Sequence, residues 1–258
     1  MDIRPYKRLA RKLGVFTVAR SVYRAVDPRI RAERQNDIAL FSGIVKKGDL
    51  VFDIGANMGE KTSVFLDLGA RVVAVEPNPN CVAHLKKHVA KQGDLTVVEA
   101  GCGSAVGRAT LNFSGTDKTA SLREDWFALS QSETAVQALD VAVVTLTDLM
   151  SEFGVPRYIK IDVEGFESEV LKGLDQPAPL LSFEYHLREL EDLRASMSGL
   201  ERLGAWHYNC IAMNGRDFSQ TDWLAMQDFF ELAEGGAIPR KGDVFARPAD
   251  MSALSRPA

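Results

Sequence analysis

Cysteine is scarce in this sequence, and the few cysteines follow no metal-binding or disulfide pattern. Only Cys81, Cys102 and Cys210 occur in 258 residues, and no two of them form a CxxC pair. A disulfide framework and a structural zinc site both need more cysteines at closer spacing, so neither organises the fold. This composition favours a reducing, cytoplasmic setting.

Long apolar runs are also absent. Stretches such as 141–146 and 178–183 are among the longest, and they fall far short of the ~18 residues that cross a bilayer. Hydrophobic residues nevertheless make up 46% of the chain and charged residues 26%, which suits a folded core rather than a disordered chain. At this length we expect a soluble protein with one large α/β domain or two small ones.

Excess positive charge is confined to the amino end. Residues 1–35 hold ten basic and three acidic side chains, whereas the whole chain has a formal net charge of −4. Apolar residues recur among these charges at helical intervals, which predicts a basic amphipathic helical segment over 1–40, followed by the main domain over 41–258. Its charged face is interpreted as solvated; the alternative is contact with an anionic membrane surface or a lipid-linked substrate.

From residue 49 onward, short β-rich runs alternate with helix-compatible runs, which is typical of a parallel sheet with helices on both faces. The predicted strands are 50–54, 71–76, 95–99, 158–162, 180–185, 206–212 and 243–246, and the predicted helices are 61–68, 80–91, 165–172 and 186–203. Residues 103–145 break the alternation. We interpret them as an insertion over one edge of the domain, with extra strands at 108–113 and 141–145 around a polar loop that could cover a substrate.

The first strand runs into a glycine-rich turn, VFDIGANMGEKT at 51–62. Gly55 and Gly59 permit a tight turn against which a ligand can approach bare main chain, and Asn57 tolerates a left-handed backbone. Glu76 ends the next strand, 23 positions after Asp53, close to the ~20-residue offset at which an acid binds ribose hydroxyls in doubly wound folds. These features together predict a nucleotide-type cofactor.

The acid in this turn discriminates between cofactors. Asp53 would repel the pyrophosphate of a dinucleotide but attract a positively charged sulfonium. The turn also lacks the Walker A pattern and the full G-x-G-x-x-G spacing. The charge therefore favours S-adenosylmethionine.

Charged residues collect at the end of the fourth strand. Lys160 and Asp162 are two residues apart and share a face, with Asp162 at the tip. Ligands bind outside the carboxyl ends of strands in open α/β sheets. This cluster is interpreted as part of the site; the alternative is a structural ion-pair network.

Four segments together resemble the FkbM family of S-adenosylmethionine-dependent methyltransferases. They are VFDIGANMGEKT (51–62), VVAVEPNP (72–79), YIKIDVEGFESEVLKG (158–173) and LLSFEYH (180–186), and their order and spacing extend the resemblance over residues 41–190. The resemblance implies a Rossmann-like class I methyltransferase fold, with a mostly parallel seven-stranded sheet and one antiparallel strand. It also implies methyl transfer, typically to a hydroxyl of a sugar, polyketide or other secondary metabolite.

The resemblance also implies roles for individual residues. Asp53, Gly55, Asn57 and Gly59 would hold the methionine part of the cofactor, Glu76 its ribose, and Asp162 would lie near the reacting methyl. The candidate cofactor-binding set is completed by neighbours in the same turns, namely Ala56, Pro77, Asn78 and Cys102. Where the family usually carries a Leu-Asp pair, this chain reads TLTD at 145–148. At 99–103 the usual acid is missing, so adenine contacts are expected from the backbone.

An alcohol acceptor benefits from a general base, for which the candidates are Asp162, Glu164, Glu184 and His186. Asp162 is placed best by its strand tip, and for His186 the alternative is a surface or helix-capping role. A less favoured alternative is Mg²⁺ bound by Asp162 with Glu164 or Glu184; we predict no metal site.

Two other functions remain open at this stage, an NAD(P)-dependent oxidoreductase and a catalytically inactive binding module. The expected partner is a small-molecule, glycan or lipid-linked acceptor, with a homo-oligomer also open. Nucleic acid is not expected, because the body of the chain is acidic and has no NPPY-type motif.

Overall fold

The computed structural model describes residues 28–114, 120–122 and 136–250. Its strands are β1 (Leu50–Ile54), β2 (Arg71–Val75), β3 (Leu95–Val98), β4 (Gly101–Cys102), β5 (Gly107–Ser114), β6 (Ala120–Ser121), β7 (Val136–Val144), β8 (Tyr158–Ile161), β9 (Leu181–His186), β10 (Trp206–Ala212) and β11 (Lys241–Pro248). Its helices are α1 (Pro28–Ser42), α2 (Glu60–Asp67), α3 (Pro79–His84, continued by a π-helical turn over Leu85–Val89), α4 (Leu146–Phe153), α5 (Glu167–Lys172), α6 (Leu190–Glu201, after a 3-10 turn over Leu187–Glu189) and α7 (Met226–Glu234).

The main sheet has seven strands among the described residues, in the order β10-β11-β9-β8-β1-β2-β3. Strand β11 runs antiparallel to both of its neighbours, β9 and β10, and the other neighbouring pairs are parallel. This confirms the predicted α/β fold with one antiparallel strand. Because β1 lies between β8 and β2, the carboxyl ends of these three strands meet at one edge.

Helices cover both faces of this sheet, as predicted. Helices α1 and α2 and the π-helical turn pack on one face, around Phe41, Phe65 and Tyr158. Helices α4 to α7 pack on the other face, around residues such as Leu146 and Met197. The central strands are consequently buried on both sides, and all five residues of β1 are buried.

The predicted insertion forms a second sheet in the order β4-β7-β5-β6. Predicted strand 108–113 lies within β5. Of predicted strand 141–145, residues 141–144 form the end of the longer β7, and residue 145 caps the next helix. Most of the polar loop between them, and residues 1–27 of the basic segment, lie outside the described residues. Residue 40, the predicted boundary, lies within α1, which buries Phe41 in the core. Within the described ranges, no helix has the length and apolarity needed to span a membrane.

Two helices were not predicted, α4 and α7, and the helix predicted from residue 186 begins at Leu190. Helix α4 starts with a capping box in the TLTD segment. The Asp148 N–H donates to Thr145 Oγ1 at 3.1 Å, and the Thr145 N–H donates to Asp148 Oδ2 at 3.1 Å. Asp148 therefore has a structural role in the segment where the family usually carries its Leu-Asp pair.

We expect Thr145→Ala to lower the free energy of unfolding by about 1 kcal/mol, because the first turn of α4 loses its side-chain acceptor. Denaturant unfolding measures this change. Thr145→Ser keeps the hydroxyl and serves as the control, with less than half of the loss. Equal stability of the alanine variant and the wild type would contradict the assigned cap.

Candidate active site

The turn after β1 passes directly against the end of β8. Gly55, Asn57 and Gly59 all have left-handed backbones, with φ of 78°, 49° and 77°. A Cβ atom on Gly55 would lie 1.9 Å from the carbonyl oxygen of Asp162. Only glycine fits there, because any side chain would collide with main chain.

Two adjacent cavities open at this edge and share Gly55, Asn57 and Asp162. The first has a volume of about 90 Å³ and the second about 220 Å³. Of the predicted site residues, the first cavity is lined by Gly55, Asn57, Glu76, Pro77, Asn78, Cys102, Asp162 and Glu164. The second is lined by Asp53, Gly55, Ala56, Asn57 and Asp162, together with Lys160.

Glu76 joins the turns that follow β1 and β2. Its Oε2 accepts the Asn57 N–H at 2.7 Å, and its Oε1 accepts the Asn78 N–H at 2.8 Å. Burial raises the pKa of Glu76 to about 7, although both hydrogen bonds act in the opposite direction. A carboxylate has about four acceptor positions, so two remain for other donors.

Asp53 is buried at the end of β1, with an exposure of 1%. Its Oδ2 accepts the hydroxyl of Thr62 at 2.6 Å. Burial raises the pKa of Asp53, and the neighbouring charge of Lys160 opposes this shift only in part. A full negative charge on Asp53, on which the sequence argument for the cofactor rested, is therefore disfavoured by its environment.

Lys160 and Asp162 form the charged centre of the site, and they share a face as expected. Lys160 Nζ lies 2.9 Å from Asp162 Oδ2, and the side chains are 7% and 41% exposed. Burial opposes the charge of Lys160, but Asp162 and Asp53 outweigh it and raise the pKa of the lysine. Burial also opposes ionisation of Asp162, yet Lys160 lowers its pKa below the ordinary value. Asp162 is therefore ionised within this ion pair.

Glu164 lies beside Asp162 in the first cavity, but its titration differs. Burial raises the pKa of Glu164 to about 7, and the nearby charges of Asp162 and Glu184 add to the shift. The Glu164 backbone is left-handed, with φ of 55°. A carboxyl group with a pKa near 7 is suited to accept a proton at neutral pH.

The other two candidate bases are engaged elsewhere. Glu184 Oε1 lies 2.9 Å from Lys241 Nζ in an ion pair. His186 Nδ1 accepts the Arg188 N–H at 3.0 Å and caps the 3-10 turn before α6. Neither residue lines the two cavities. For His186, this is the capping role that was its alternative.

Gly59 and Cys102 were both predicted to bind the cofactor, and they lie in different places relative to the two cavities. Gly59 precedes α2 and packs against Leu85 and Val89 rather than lining either cavity. Cys102 lines the first cavity, but burial raises the pKa of its thiol to about 12. The thiol therefore remains neutral and contributes an apolar wall.

Sequence reasoning missed one wall of the first cavity. Leu111, Ser121 and Leu122 come from the second sheet and line it opposite the β1 turn. The insertion was predicted to cover an acceptor, whereas its described residues 120–122 border the predicted cofactor site. No local signal marks these residues, and the hydrogen bond of Ser121 with the loop after β8 joins positions 43 apart.

The residues of the cavities fit a ligand with both donors and acceptors. Among the described residues, Asp53 Oδ1, Asn78 Nδ2 and Trp206 Nε1 are buried without a hydrogen-bond partner. Two of these three residues line the candidate cavities, and an unsatisfied buried group costs about 1–3 kcal/mol. A ligand that offers a donor to Asp53 and an acceptor to Asn78 would relieve both.

The alternative of a Mg²⁺ site finds little support in the arrangement of side chains. Within the described ranges, no group of three or more His, Cys, Asp or Glu residues is placed to hold a metal ion. Asp162 pairs with Lys160, and Glu184 pairs with Lys241. Each pairing places an ammonium group where a cation would have to bind.

A larger groove lies elsewhere in the described structure. Its volume is about 580 Å³, and it is bordered by α6, α7 and Trp206 at the start of β10. None of the predicted site residues lines it. Because β10 runs parallel to β9, this groove lies at the opposite end of the sheet from the two cavities.

Comparison with protein families gives a match over a range that contains the residues lining both cavities. The model of the methyltransferase FkbM domain matches residues 53–205. This range is more than half of the chain and runs from the first acid of the β1 turn to the start of β10.

Curated relatives match over shorter stretches. The ribosomal RNA small subunit methyltransferase A of Mycobacterium bovis is 32% identical over 127 residues, 49% of this chain and 37% of the relative. The enzyme of the same name from Rhodococcus erythropolis is 41% identical over 61 residues, 22% of this chain and 20% of the relative. The chain thus spans much less than half of the length of these relatives.

Solved structures with low identity align over most of the chain. Aeropyrum pernix fibrillarin with natively bound S-adenosyl-L-methionine has a TM-score of 0.45 and 12% identity, covering 84% of this chain and 75% of its own. Precorrin-6y C5,15-methyltransferase from Geobacter metallireducens has a TM-score of 0.43 and 13% identity, covering 82% and 86%.

We expect Gly55→Ala to weaken binding of S-adenosylmethionine at least ~10-fold, because the added methyl group displaces the main chain of Asp162 from both cavities. Gly48→Ala is the matched control. Its φ of 88° imposes a similar backbone cost, but nothing lies within 4 Å of its Cβ position. Titration calorimetry on both variants separates the two effects. Equal affinities in the two variants would contradict the placement of the cofactor at this turn.

Proposed function

The chain belongs to the FkbM family of methyltransferases, whose methyl donor is S-adenosylmethionine, and from this premise we propose that it methylates a hydroxyl group of a carbohydrate or secondary metabolite. The observation that supports an oxygen acceptor most directly is Glu164. Its carboxyl group has a pKa raised to about 7 and borders the same cavity as Asp162. A hydroxyl must lose a proton during attack, and this group is suited to take it.

The two cavities divide the proposed cofactor contacts. Asp53, Asn57 and Asp162 would hold the methionine part, since the ionised Asp162 and the unpartnered Asp53 Oδ1 both accept hydrogen bonds from an ammonium group. Glu76 would bind the ribose. Asn78 Nδ2 and the apolar wall of Cys102, Leu111 and Leu122 would receive the adenine.

The chemistry of the chain itself is then positioning and proton transfer. When bound, S-adenosylmethionine supplies an electrophilic methyl group on a sulfonium sulfur, which departs as a neutral thioether without needing a proton. Glu164 accepts the hydroxyl proton while the acceptor oxygen forms its new bond to carbon. Asp162 stays ionised through Lys160 and would attract the positively charged cofactor into the site. Alignment of the two reactants is worth about 7–11 kcal/mol when it is well defined.

Ribosomal RNA is the second candidate acceptor, because the relatives with 32% and 41% identity carry that name. The match covers less than half of each relative, so their substrate does not transfer with the fold. Electrostatics favour the small molecule. The chain outside residues 1–35 has an excess of acidic over basic side chains, and this excess repels a phosphate backbone.

The proposal also covers the cellular compartment of the protein and the contacts of its basic amino-terminal residues. We place the protein in the cytoplasm, on its cysteine content. The basic residues 1–35, of which 28–35 belong to the described range, are proposed to rest on an anionic membrane surface or to admit a lipid-linked acceptor. Self-association remains an open part of the proposal.

Cofactor and acceptor are tested separately. Titration calorimetry should show binding of S-adenosylmethionine and no binding of NADH, which the oxidoreductase alternative requires. Extracts incubated with the protein and methyl-labelled S-adenosylmethionine are then divided into RNA, lipid and small-molecule fractions. Label in the small-molecule or lipid fraction supports the proposal. Label confined to RNA would establish the second candidate, and binding without any product would indicate an inactive binding module.

With the acceptor from that experiment, we expect kcat/KM to rise with pH through an apparent pKa of about 7. Glu164 is a base with a raised pKa, so the active ionised form is lost as the pH falls through this value. Glu164→Gln should remove this dependence and lower kcat by about 10²- to 10⁴-fold, with little change in cofactor affinity.

Glu184→Gln is the matched control. Its carboxylate helps to raise the pKa of Glu164, so its removal should move the rise in kcat/KM to lower pH without abolishing activity. An unchanged pH profile in Glu164→Gln would assign the base to another group.

A further inference from the structure

The loop after β8 holds Glu164 in a backbone conformation that is unfavourable for its residue type. Glu164 has φ of 55° and Gly165 has φ of 90°. Glycine adopts such values freely, whereas a residue with a Cβ atom is strained there. Something in the surrounding structure must therefore keep Glu164 in this state.

Glu167 binds the loop on both sides of Glu164. Its Oε1 accepts the Val163 N–H at 3.2 Å and the Gly165 N–H at 3.3 Å. The side chain is the first of α5 and is 8% exposed. One buried carboxylate oxygen consequently accepts from the peptide group that precedes Val163 and from the one that follows Glu164.

Ser121 binds the loop from the second sheet. Its hydroxyl donates to the carbonyl oxygen of Glu164 at 2.9 Å, and the residue is 1% exposed. This contact joins positions 43 apart in the sequence. Together, Glu167 and Ser121 hold three successive residues of the loop from two different elements.

We propose that Glu167 and Ser121 are positioning residues that keep Glu164 in its left-handed conformation and thereby hold its carboxyl group at the cofactor cavity. We call the pair the loop clamp. The proposal rests on the proposed function of Glu164 as the base. It adds two residues to the site that do not themselves contact the reacting atoms.

The titration of Glu164 provides a readout that a general loss of stability would not mimic. The charged groups around it are Asp162 on its own loop, Lys160 on β8, Glu184 on β9 and Lys241 on β11. Burial raises its pKa to about 7, and burial likewise raises the pKa of Glu167 to about 7. A loop released by the clamp would expose Glu164 to water, so its pKa would fall.

The experiment measures the pKa of Glu164 in the full chain by carbon-13 NMR with labelled glutamate, the signal being assigned by its loss in Glu164→Gln. We expect the wild-type value near 7, and values lower by at least one unit in Glu167→Ala and Ser121→Ala. Glu167→Gln keeps an acceptor oxygen and Ser121→Thr keeps the hydroxyl, so both should stay closer to the wild type than the alanine variants.

A pKa of Glu164 that is unchanged in the alanine variants would overturn the clamp. Should Glu167→Ala fail to fold, Ser121→Ala decides the question by the same criterion. The strain is tested independently: Glu164→Gly should unfold at a higher denaturant concentration than Glu164→Ala, because only glycine is relaxed at positive φ. The reverse order would also contradict the proposal. Failure of the proposed function shows differently, as a pH profile of kcat/KM that is unchanged in Glu164→Gln.

Discussion

The site depends on one buried cation, Lys160. Its ammonium group lies at the end of β8, hydrogen-bonded to Asp162 and next to Asp53 across the β1–β8 pairing. Asp243 on β11 adds a third acid, and burial raises the pKa of that acid to about 6 despite Lys160. A buried charge is tolerated only with such partners. The lysine therefore contacts Asp162 and interacts by charge with Asp53 on β1 and Asp243 on β11.

The same cation separates the behaviour of two acids that are two residues apart. Asp162 is paired with Lys160 and has a lowered pKa, whereas burial, to which the charges of Asp162 and Glu184 add, raises the pKa of Glu164. Two carboxyl groups whose environments move their pKa values apart form a recurring arrangement for acid and base chemistry. One group then supplies permanent charge and the other exchanges a proton. The sequence alone ranked Asp162 first as the base, because it shows Lys160 on the same face but not the burial that raises the pKa of Glu164.

Local patterns predicted the features that depend on local residues. Strands β1 and β10 have the predicted bounds, and the β1 turn has left-handed residues at Gly55 and Asn57. The capping box of α4 was also visible in the sequence as Thr145 and Asp148, but that segment was compared with the family pattern instead. Contacts between distant residues could not be predicted: the pairing of Glu184 with Lys241 depends on the antiparallel return of β11, and that of Ser121 with Glu164 on the second sheet.

The charge argument for the cofactor illustrates the same limit. The sequence argument held that Asp53 selects a positively charged cofactor, yet burial raises the pKa of that residue. Asp162, whose pKa is lowered, lines both cavities. An ionised acid is present at this edge, within its ion pair with Lys160. This acid follows β8 rather than lying in β1. The register of the two strands places Lys160 beside Asp53, and Asp162 comes two residues after Lys160.

The second sheet connects the cofactor cavity with the base. Leu122 lies so close to Gly101 that a Cβ atom there would be 2.7 Å from its side chain, and the preceding Ser121 donates to the loop of Glu164. Two adjacent residues thus border the place proposed for adenine and fix the loop that carries the proposed base. A displacement of this wall would alter both sites together. The insertion that interrupts the alternating pattern of strands and helices is for this reason part of the site, although its sequence contains none of the family motifs.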